Sequence, residues 1–337
     1  MSKRILVTGG AGFVAHHFIE HVLKNTDWDV VSLDRLDTSG NLNRLANIDS
    51  WEKNKTRVKI VFHDLRGAIN AQISKAIGPV EEIFHLAAAS HVDRSIQYPM
   101  EFVLDNVVGT ENLLEWSMGL DSLDKFNYFS TDEVYGSAEE GVFYKETDMP
   151  RPENPYAGSK LAAESMCHAF ASTYKLPIFI TRTMNVFGER QHPEKFIPMT
   201  MKKILDGETV TIHADKTKTK PGSRFYIHAR NVAAALMFLR EKAQLLSKED
   251  RYQGIYNVVG EKEMTNLEVA QYIAEVLGKE LKYELVDFHS SRPGHDLRYA
   301  MSGERMKNIG WNLPVTIKES LAKAVDWSLK HPEWLEV

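Results

Sequence analysis

Ile5-Leu6-Val7-Thr8-Gly9-Gly10-Ala11-Gly12-Phe13-Val14-Ala15 joins a short apolar run to a glycine turn, and a helical pattern through Phe18, Ile19, Val22 and Leu23 follows at once. Strand, glycine turn and helix in that order let a backbone approach a pyrophosphate at a helix N-terminus. A second apolar run, Asp29 to Leu33, ends in Asp34 about twenty residues beyond the glycines. An acid there accepts hydrogen bonds from the adenosine ribose hydroxyls and repels a 2′-phosphate, which points to NAD over NADP. A tight turn and an unrelated surface acid are the competing reading. Gly9, Gly12, Phe13, Val14 and Asp34 are the candidate cofactor contacts of this end.

Strand-like runs recur at 58–62, 82–86, 126–129 and 177–181, and helical patterns alternate with them at about 69–77, 99–118 and 155–174. Such alternation predicts an α/β fold of Rossmann type, a doubly wound parallel sheet with helices on both faces. Asp64 and Leu65 follow the third strand, and Ala87-Ala88-Ala89-Ser90 the fourth. Small residues at a strand end permit close approach of a cofactor, or simply pack. Beyond about 184 the alternation breaks down into proline-marked polar stretches, Asn185 to Gly188 and His192 to Pro198. A helix at 198–206, strands at 209–213 and 224–228, a helix at 229–243, a strand at 255–258 and a helix at 266–278 complete the pattern. We expect an NAD-binding domain over 1–183, to which a segment near 224–258 returns. A smaller, partly discontinuous α/β substrate-binding domain would occupy mainly 184–337. Lys216, Lys218 and Lys220 read as a solvated hairpin, with a basic flap over an anionic substrate as the minority reading.

The chain has 337 residues, 43% hydrophobic and 26% charged, with a formal net charge of -5. That composition supports a large core and argues against nucleic-acid or membrane-surface binding, which favours clustered Lys and Arg. Cys167 is the only cysteine, excluding an internal disulfide or a CxxC pair and fitting a reducing, cytoplasmic setting. It reads as a packed thiol. Lys3-Arg4 before an apolar run has the outline of a secretion signal, but Gly9, Gly10, Gly12, His16 and His17 interrupt it. No apolar stretch approaches the roughly 18 residues a membrane span requires. His16, His17 and His21 lack metalloenzyme spacing, so no metal is expected, and neither a GxSxG elbow nor a Walker A loop occurs.

Phe129-Ser130-Thr131-Asp132-Glu133-Val134-Tyr135-Gly136 sets a hydroxyl pair and two adjacent carboxylates at the end of an apolar run, where a parallel sheet presents its ligands. Tyr156 and Lys160 lie four residues apart in a helical pattern that starts after Pro155, hence on one face. A lysine there would lower the tyrosine pKa from its usual value near 10.

Together, Thr8 to Phe13, Asp34, Tyr156-x-x-x-Lys160 and Asn185-Val186-Phe187-Gly188 resemble the extended short-chain dehydrogenase/reductase superfamily. More narrowly, the chain resembles the dTDP-glucose 4,6-dehydratase group of nucleotide-sugar enzymes. Gly40-Asn41-Leu42, His85 to Ala88, Ser90 to Ser95, Asn106 to Thr110 and Ser130 to Gly136 carry that likeness, with Pro193 to Pro198 and Arg292 to Asp296. It departs from the pattern at Ala15 (for glycine), Ala89 (for Glu), Asp105 (for Thr) and Phe225 (for Asp).

The resemblance implies a tightly bound NAD and a redox-neutral, three-step reaction. Tyr156 takes the sugar C4 hydroxyl proton as hydride leaves C4, with Lys160 supporting it and Thr131 holding the C4 oxygen. Glu133 then removes the C5 proton, and protonated Asp132 donates to the departing C6 hydroxyl. Asp64, Leu65, Ala87 and Ala88 join the cofactor contacts. Ser90, Asn185, Lys195, Arg224 and Arg292 become candidate contacts to the nucleotide-diphosphate sugar. A homodimer through the helices near 99–118 and 155–174 is implied as well, with Phe102, Leu113, Met166 and Phe170 compatible with either interface or core. Two rivals stand beside this reading. A nucleotide-sugar 4-epimerase shares NAD, Tyr156 and Lys160 but needs no acid pair; a catalytically idle Rossmann-fold binding or regulatory protein needs none of the three hydroxyl and amine groups.

Overall fold

The computed structural model describes residues 2–37, 39–287 and 298–336. Its first half is built on strands β1 (Arg4–Thr8), β2 (Asp29–Asp34), β3 (Val58–Phe62), β4 (Glu82–His85), β5 (Lys125–Thr131) and β6 (Ile178–Thr183). All pair in parallel, and the strand Ile255–Val258 adds to the outside of β6. The sheet therefore runs Ile255–Val258, β6, β5, β4, β1, β2, β3. Chain direction across the sheet reverses between β1 and β4, the switch point at which such sheets open a crevice. Register brings Thr8 level with Leu33 and His85, and Thr131 level with Thr183, so the polar strand ends share one edge.

The strands are nearly continuous apolar runs because both faces are covered. Ile5, Val7, Phe18, Ile19, Leu236 and Val258 pack on one side, and Leu6, Val31, Ile83, Phe126, Cys167 and Ile178 on the other. The helix Ala229–Lys242 belongs to the first of these cores, against the helix Phe13–Asn25. Cys167 is buried, as expected of a packed thiol.

The uninterrupted helix expected at 99–118 is instead Pro99–Phe102, a π-helical turn over Val103–Val108, and Gly109–Ser117. The widened turn carries Asn106, whose amide accepts from Ala89 N at 2.8 Å and donates to Ala89 O at 3.0 Å. A strand-end backbone is thereby satisfied by a side chain, which periodicity cannot reveal. Phe102, Leu113 and Phe170 are buried within the chain, so they belong to its core; exposed apolar residues nearby include Ile96, Tyr98, Met100, Val103, Leu104, Met118 and Tyr174.

Past β6 a third core lies beneath the helices Phe196–Asp206, Asn266–Leu277 and Ile317–Lys330, with Met201, Ile212, Val269, Ile273 and Leu321 inside. Short strand pairs frame it: Val210–Ala214 with Tyr283–Asp287, and Ser223–Phe225 with Glu263–Thr265. Lys216, Lys218 and Lys220 lie on an exposed turn, where Asp215 accepts from Thr217 Oγ1 and from the backbone N–H groups of Thr219 and Lys220. The solvated hairpin is what the geometry shows. Among the described residues no helix is long and apolar enough to cross a membrane.

Candidate functional site

The glycine turn leaves β1 at Thr8 and delivers Phe13 and Val14 into the first helix. Gly9 takes φ 68°, and a Cβ there would stand 2.8 Å from Ala87 Cα. Gly12 donates to Gly9 O at 2.7 Å, and its own Cβ would lie 2.8 Å from that oxygen. The turn is thus closed against itself and against Ala87, whose N–H also donates to Thr8 Oγ1 at 3.1 Å. Only residues without side chains leave such a cradle of backbone open to a pyrophosphate.

Asp34 ends β2 and is 9% exposed. Its Oδ2 accepts from Ala11 N at 3.0 Å and its Oδ1 from Leu36 N at 2.8 Å. Burial raises its pKa, and these two N–H groups oppose the rise. A carboxylate has about four acceptor sites, so two bonds leave capacity for a ribose diol. These residues fit a dinucleotide. Asp64 and Leu65 follow β3, beside an open cleft of about 600 Å³ lined in part by Arg35, Asp37, Phe62, Asp64 and Arg66. The cleft flanks the ends of β2 and β3; the acid pair is not in its wall. Asp105, one of the departures noted above, joins Arg35 to Arg66 there, at 2.5 Å to each.

The second half of the site is at the end of β5. Thr131 is buried and caps the 3-10 turn Asp132–Tyr135, accepting from Glu133 N at 3.3 Å. Its hydroxyl donates to Asp132 Oδ1 at 3.1 Å, and it is hydrogen-bonded to the Tyr156 phenol. Asp132 is 4% exposed, and its Oδ2 has no hydrogen-bond partner among the described residues. Burial first, and the Glu133 charge second, push its pKa up to about 7, with Arg224 pulling the other way. The adjacent acids thus differ by environment, as a proton donor beside a base requires. Arg224 is brought toward the acid pair and lies over the Tyr299 ring, 4.7 Å from its centroid.

Tyr156 and Lys160 sit in the first turns of the helix Pro155–Tyr174. Here the structure corrects an expectation. Burial, then the Glu133 charge, raise the Tyr156 pKa above that of a free phenol, and Lys160 is not among its causes. Lys160 Nζ donates to Phe129 O at 2.6 Å and lies 4.4 Å from the centroid of the Tyr128 ring. Burial brings its own pKa down to about 8. The helical spacing is right, but one N–H of the ammonium is given to a strand carbonyl and its charge does not lower the phenol pKa.

The remaining candidates are more dispersed. Ser90 is exposed; Asn185 is half-buried and its carbonyl accepts from Ile227 N at 3.2 Å. Lys195 is half-buried at the N-cap of the helix Phe196–Asp206. Ala88 lies beside Ala87 at the end of β4. Arg292 falls outside the described residues. His16 and His17 are buried, with ring centroids 4.0 Å apart, and burial drives both pKa values down. Asn154 escaped the sequence reading. It caps the helix of Tyr156, its Oδ1 accepting from Ala157 N at 2.8 Å, while its Nδ2 donates to Glu133 Oε2 at 2.9 Å. Asn before Pro at a helix start was the available signal.

The family model of GDP-mannose 4,6 dehydratase matches residues 6–324. The low-salt glycan biosynthesis protein Agl12 of Haloferax volcanii is 35% identical over 329 residues, covering 98% of this chain and 99% of that protein. Among solved structures, DesIV of Streptomyces venezuelae, a dTDP-glucose 4,6-dehydratase with NAD bound, superposes with a TM-score of 0.85 at 32% identity and covers 99% of both chains. A UDP-glucose 4-epimerase from Thermus thermophilus in complex with NAD gives a TM-score of 0.82 at 31% identity, covering 96% of this chain and 98% of that one. With the glycine cradle, the Tyr156–Lys160 helix and the acid pair in place, the chain belongs to the GDP-mannose 4,6-dehydratase family of nucleotide-sugar enzymes, within the extended short-chain dehydrogenase/reductases.

Proposed function

We propose that this protein is an NAD-dependent nucleotide-sugar 4,6-dehydratase. It converts an NDP-hexose, dTDP-glucose or a related sugar, to the 4-keto-6-deoxy product by C4 oxidation, water loss across C5–C6 and reduction at C6. The observation that carries this reading is the buried Asp132, its pKa near 7, next to Glu133 and sharing Thr131 with Tyr156. An epimerase has no use for an acid that holds a proton at neutral pH.

The Gly9–Gly12 turn and Asp34 would hold NAD, which when bound would supply the hydride acceptor for C4. Tyr156 removes the C4 hydroxyl proton, and Thr131 orients the C4 oxygen. Lys160 gives one N–H to Phe129 O and would use its remaining donors to hold the nicotinamide ribose. The C4 ketone acidifies the C5 hydrogen, which Glu133 takes; Asp132 delivers its proton to the leaving C6 hydroxyl. Arg224, Lys195, Asn185, Ser90 and Arg292 complete the reading as contacts to the nucleotide diphosphate and sugar. Residues 1–183, with the returning segment near 224–258, form the nucleotide-binding part of this scheme, and most of 184–337 covers the sugar. The same reading places the protein in the cytoplasm as a homodimer through the faces bearing Tyr98, Met100 and Tyr174.

Incubation with NDP-glucose, NDP-mannose and NDP-N-acetylglucosamine, without added reductant, tests it. Loss of water from one sugar is the expected result. An isobaric C4 epimer would replace this reading with the epimerase, and absence of both turnover and bound NAD would leave an idle Rossmann fold.

A further inference from the structure

Asn154 joins the acid turn to the helix of Tyr156 through a single side chain. Its carbonyl oxygen caps the helix that carries Tyr156 and Lys160, so its NH2 group must face the other way, and there it meets Glu133 Oε2. The stretch 151–154 is strapped to the acid turn at two further points. Arg151 N donates to Val134 O at 2.9 Å, and Ser137 Oγ donates to Glu153 Oε2 at 3.1 Å. Pro155 at the first helical position fixes the backbone just beyond, and Asn154 itself is 7% exposed. Its amide therefore has little freedom to turn away.

We propose that Asn154 is a positioning residue that holds the Glu133 carboxylate in the base geometry and ties it to the helix of Tyr156, so that oxidation at C4 and proton removal at C5 address one bound sugar. The inference rests on the dehydratase reading for its chemistry, but not for its structural half. A helix cap alone could be Ser, Asp or Thr at similar cost. An amide sets its acceptor and its donor on separate atoms, so Asn reaches Ala157 N and Glu133 Oε2 together, whereas a serine must serve both from one oxygen on a shorter side chain. Asp would keep the cap and set a second carboxylate against Glu133, whose charge already acts on Asp132 and Tyr156.

Asn154→Asp and Asn154→Ser, both competent caps, separate the roles. Each is mixed with the panel sugar that loses water, in deuterated solvent under single-turnover conditions, and NADH absorbance and deuterium at C5 are followed together. In Asn154→Asp, C5 exchange should slow about tenfold or more while NADH forms at close to the wild-type rate. Asn154→Ser should fall between, with melting temperatures within about 3 °C of wild type. An equal loss in both steps, or none in either, overturns the proposal. A carbon-13 titration of the Glu133 carboxyl, assigned with Glu133→Gln, needs no substrate: its midpoint should rise in Asn154→Asp, and an unmoved midpoint also overturns the proposal. If the wild type epimerises instead of dehydrating, the chemistry fails, and this titration still decides whether Asn154 sets Glu133.

Discussion

Thr131 donates to Asp132 Oδ1 at 3.1 Å, while among the described residues nothing bonds the buried Oδ2 of the same carboxyl. One oxygen is oriented and the other is poised to carry a proton. The folded pKa of about 7 exceeds the unfolded value near 3.9. Between these values the folded chain binds a proton that the unfolded chain has released. Stability from this group is therefore complete below about pH 4 and lost as pH rises through 7. A shift of about 3 units corresponds to an upper bound near 4 kcal/mol. Asp132→Asn should gain stability relative to wild type between pH 5 and pH 8, by about 2 kcal/mol or more, in urea melts at both values. Parallel curves would contradict the assignment.

Glu133→Gln keeps the shape and the Asn154 contact but removes the base. On adding the competent sugar, bound NAD⁺ should be reduced and the reaction should stall before water loss, with dehydration down by about 10²–10⁴. Normal turnover would show that another group takes the C5 proton.

Tyr156→Phe removes the phenol that shares Thr131 with the acid pair. NAD should still copurify, because the cradle at Gly9–Gly12 is untouched, while NADH formation should drop by about 10² or more. The stopped-flow absorbance trace reads it directly.

Gly12→Ala places a Cβ 2.8 Å from Gly9 O. The turn must open, which should destabilise the chain by about 1–3 kcal/mol and strip it of copurified nucleotide. Calorimetry and the absorbance ratio at 260 and 280 nm would show both.

Arg182 on β6 and Glu164 on the helix Pro155–Tyr174 form a buried ion pair, with Arg182 Nη2 at 2.6 Å and Nε at 3.0 Å from the carboxylate. Arg182→Met strands a buried charge and should cost about 3–5 kcal/mol. The double variant Arg182→Met with Glu164→Leu should recover much of that in guanidinium melts, since it removes both charges.

The sheet was legible because its strands are apolar on both faces and its helices amphipathic, so each of the six early strand runs falls within a few residues of its observed element. Thr131, Asp132 and Glu133 were legible for a related reason: they end such a run. What escaped was set by tertiary contact. Lys160 has the right spacing from Tyr156, yet one of its three N–H donors goes to Phe129 O, a partner 31 residues away, and its charge is not among the influences on the phenol. Asn106 widens its helix to reach Ala89, and Asn154 reaches back to Glu133 across a loop. An asparagine announces a cap from sequence, but not what its second donor meets. Phe102 and Leu113 read as apolar at either an interface or a core, and only burial assigns them.

The strand Ile255–Val258 lies outside β6, yet the chain travels through more than seventy residues of the second half before supplying it. A protein cut after β6 would leave β6 with an open hydrogen-bonding edge that is fully buried in the whole chain. Bare edges of this kind recruit other chains. Residues 1–183 should therefore aggregate when expressed alone, and a nascent chain cannot close its sheet until Ile255–Val258 has emerged. The late segment works as a latch: translation must pass well beyond β6 before the sheet can be completed.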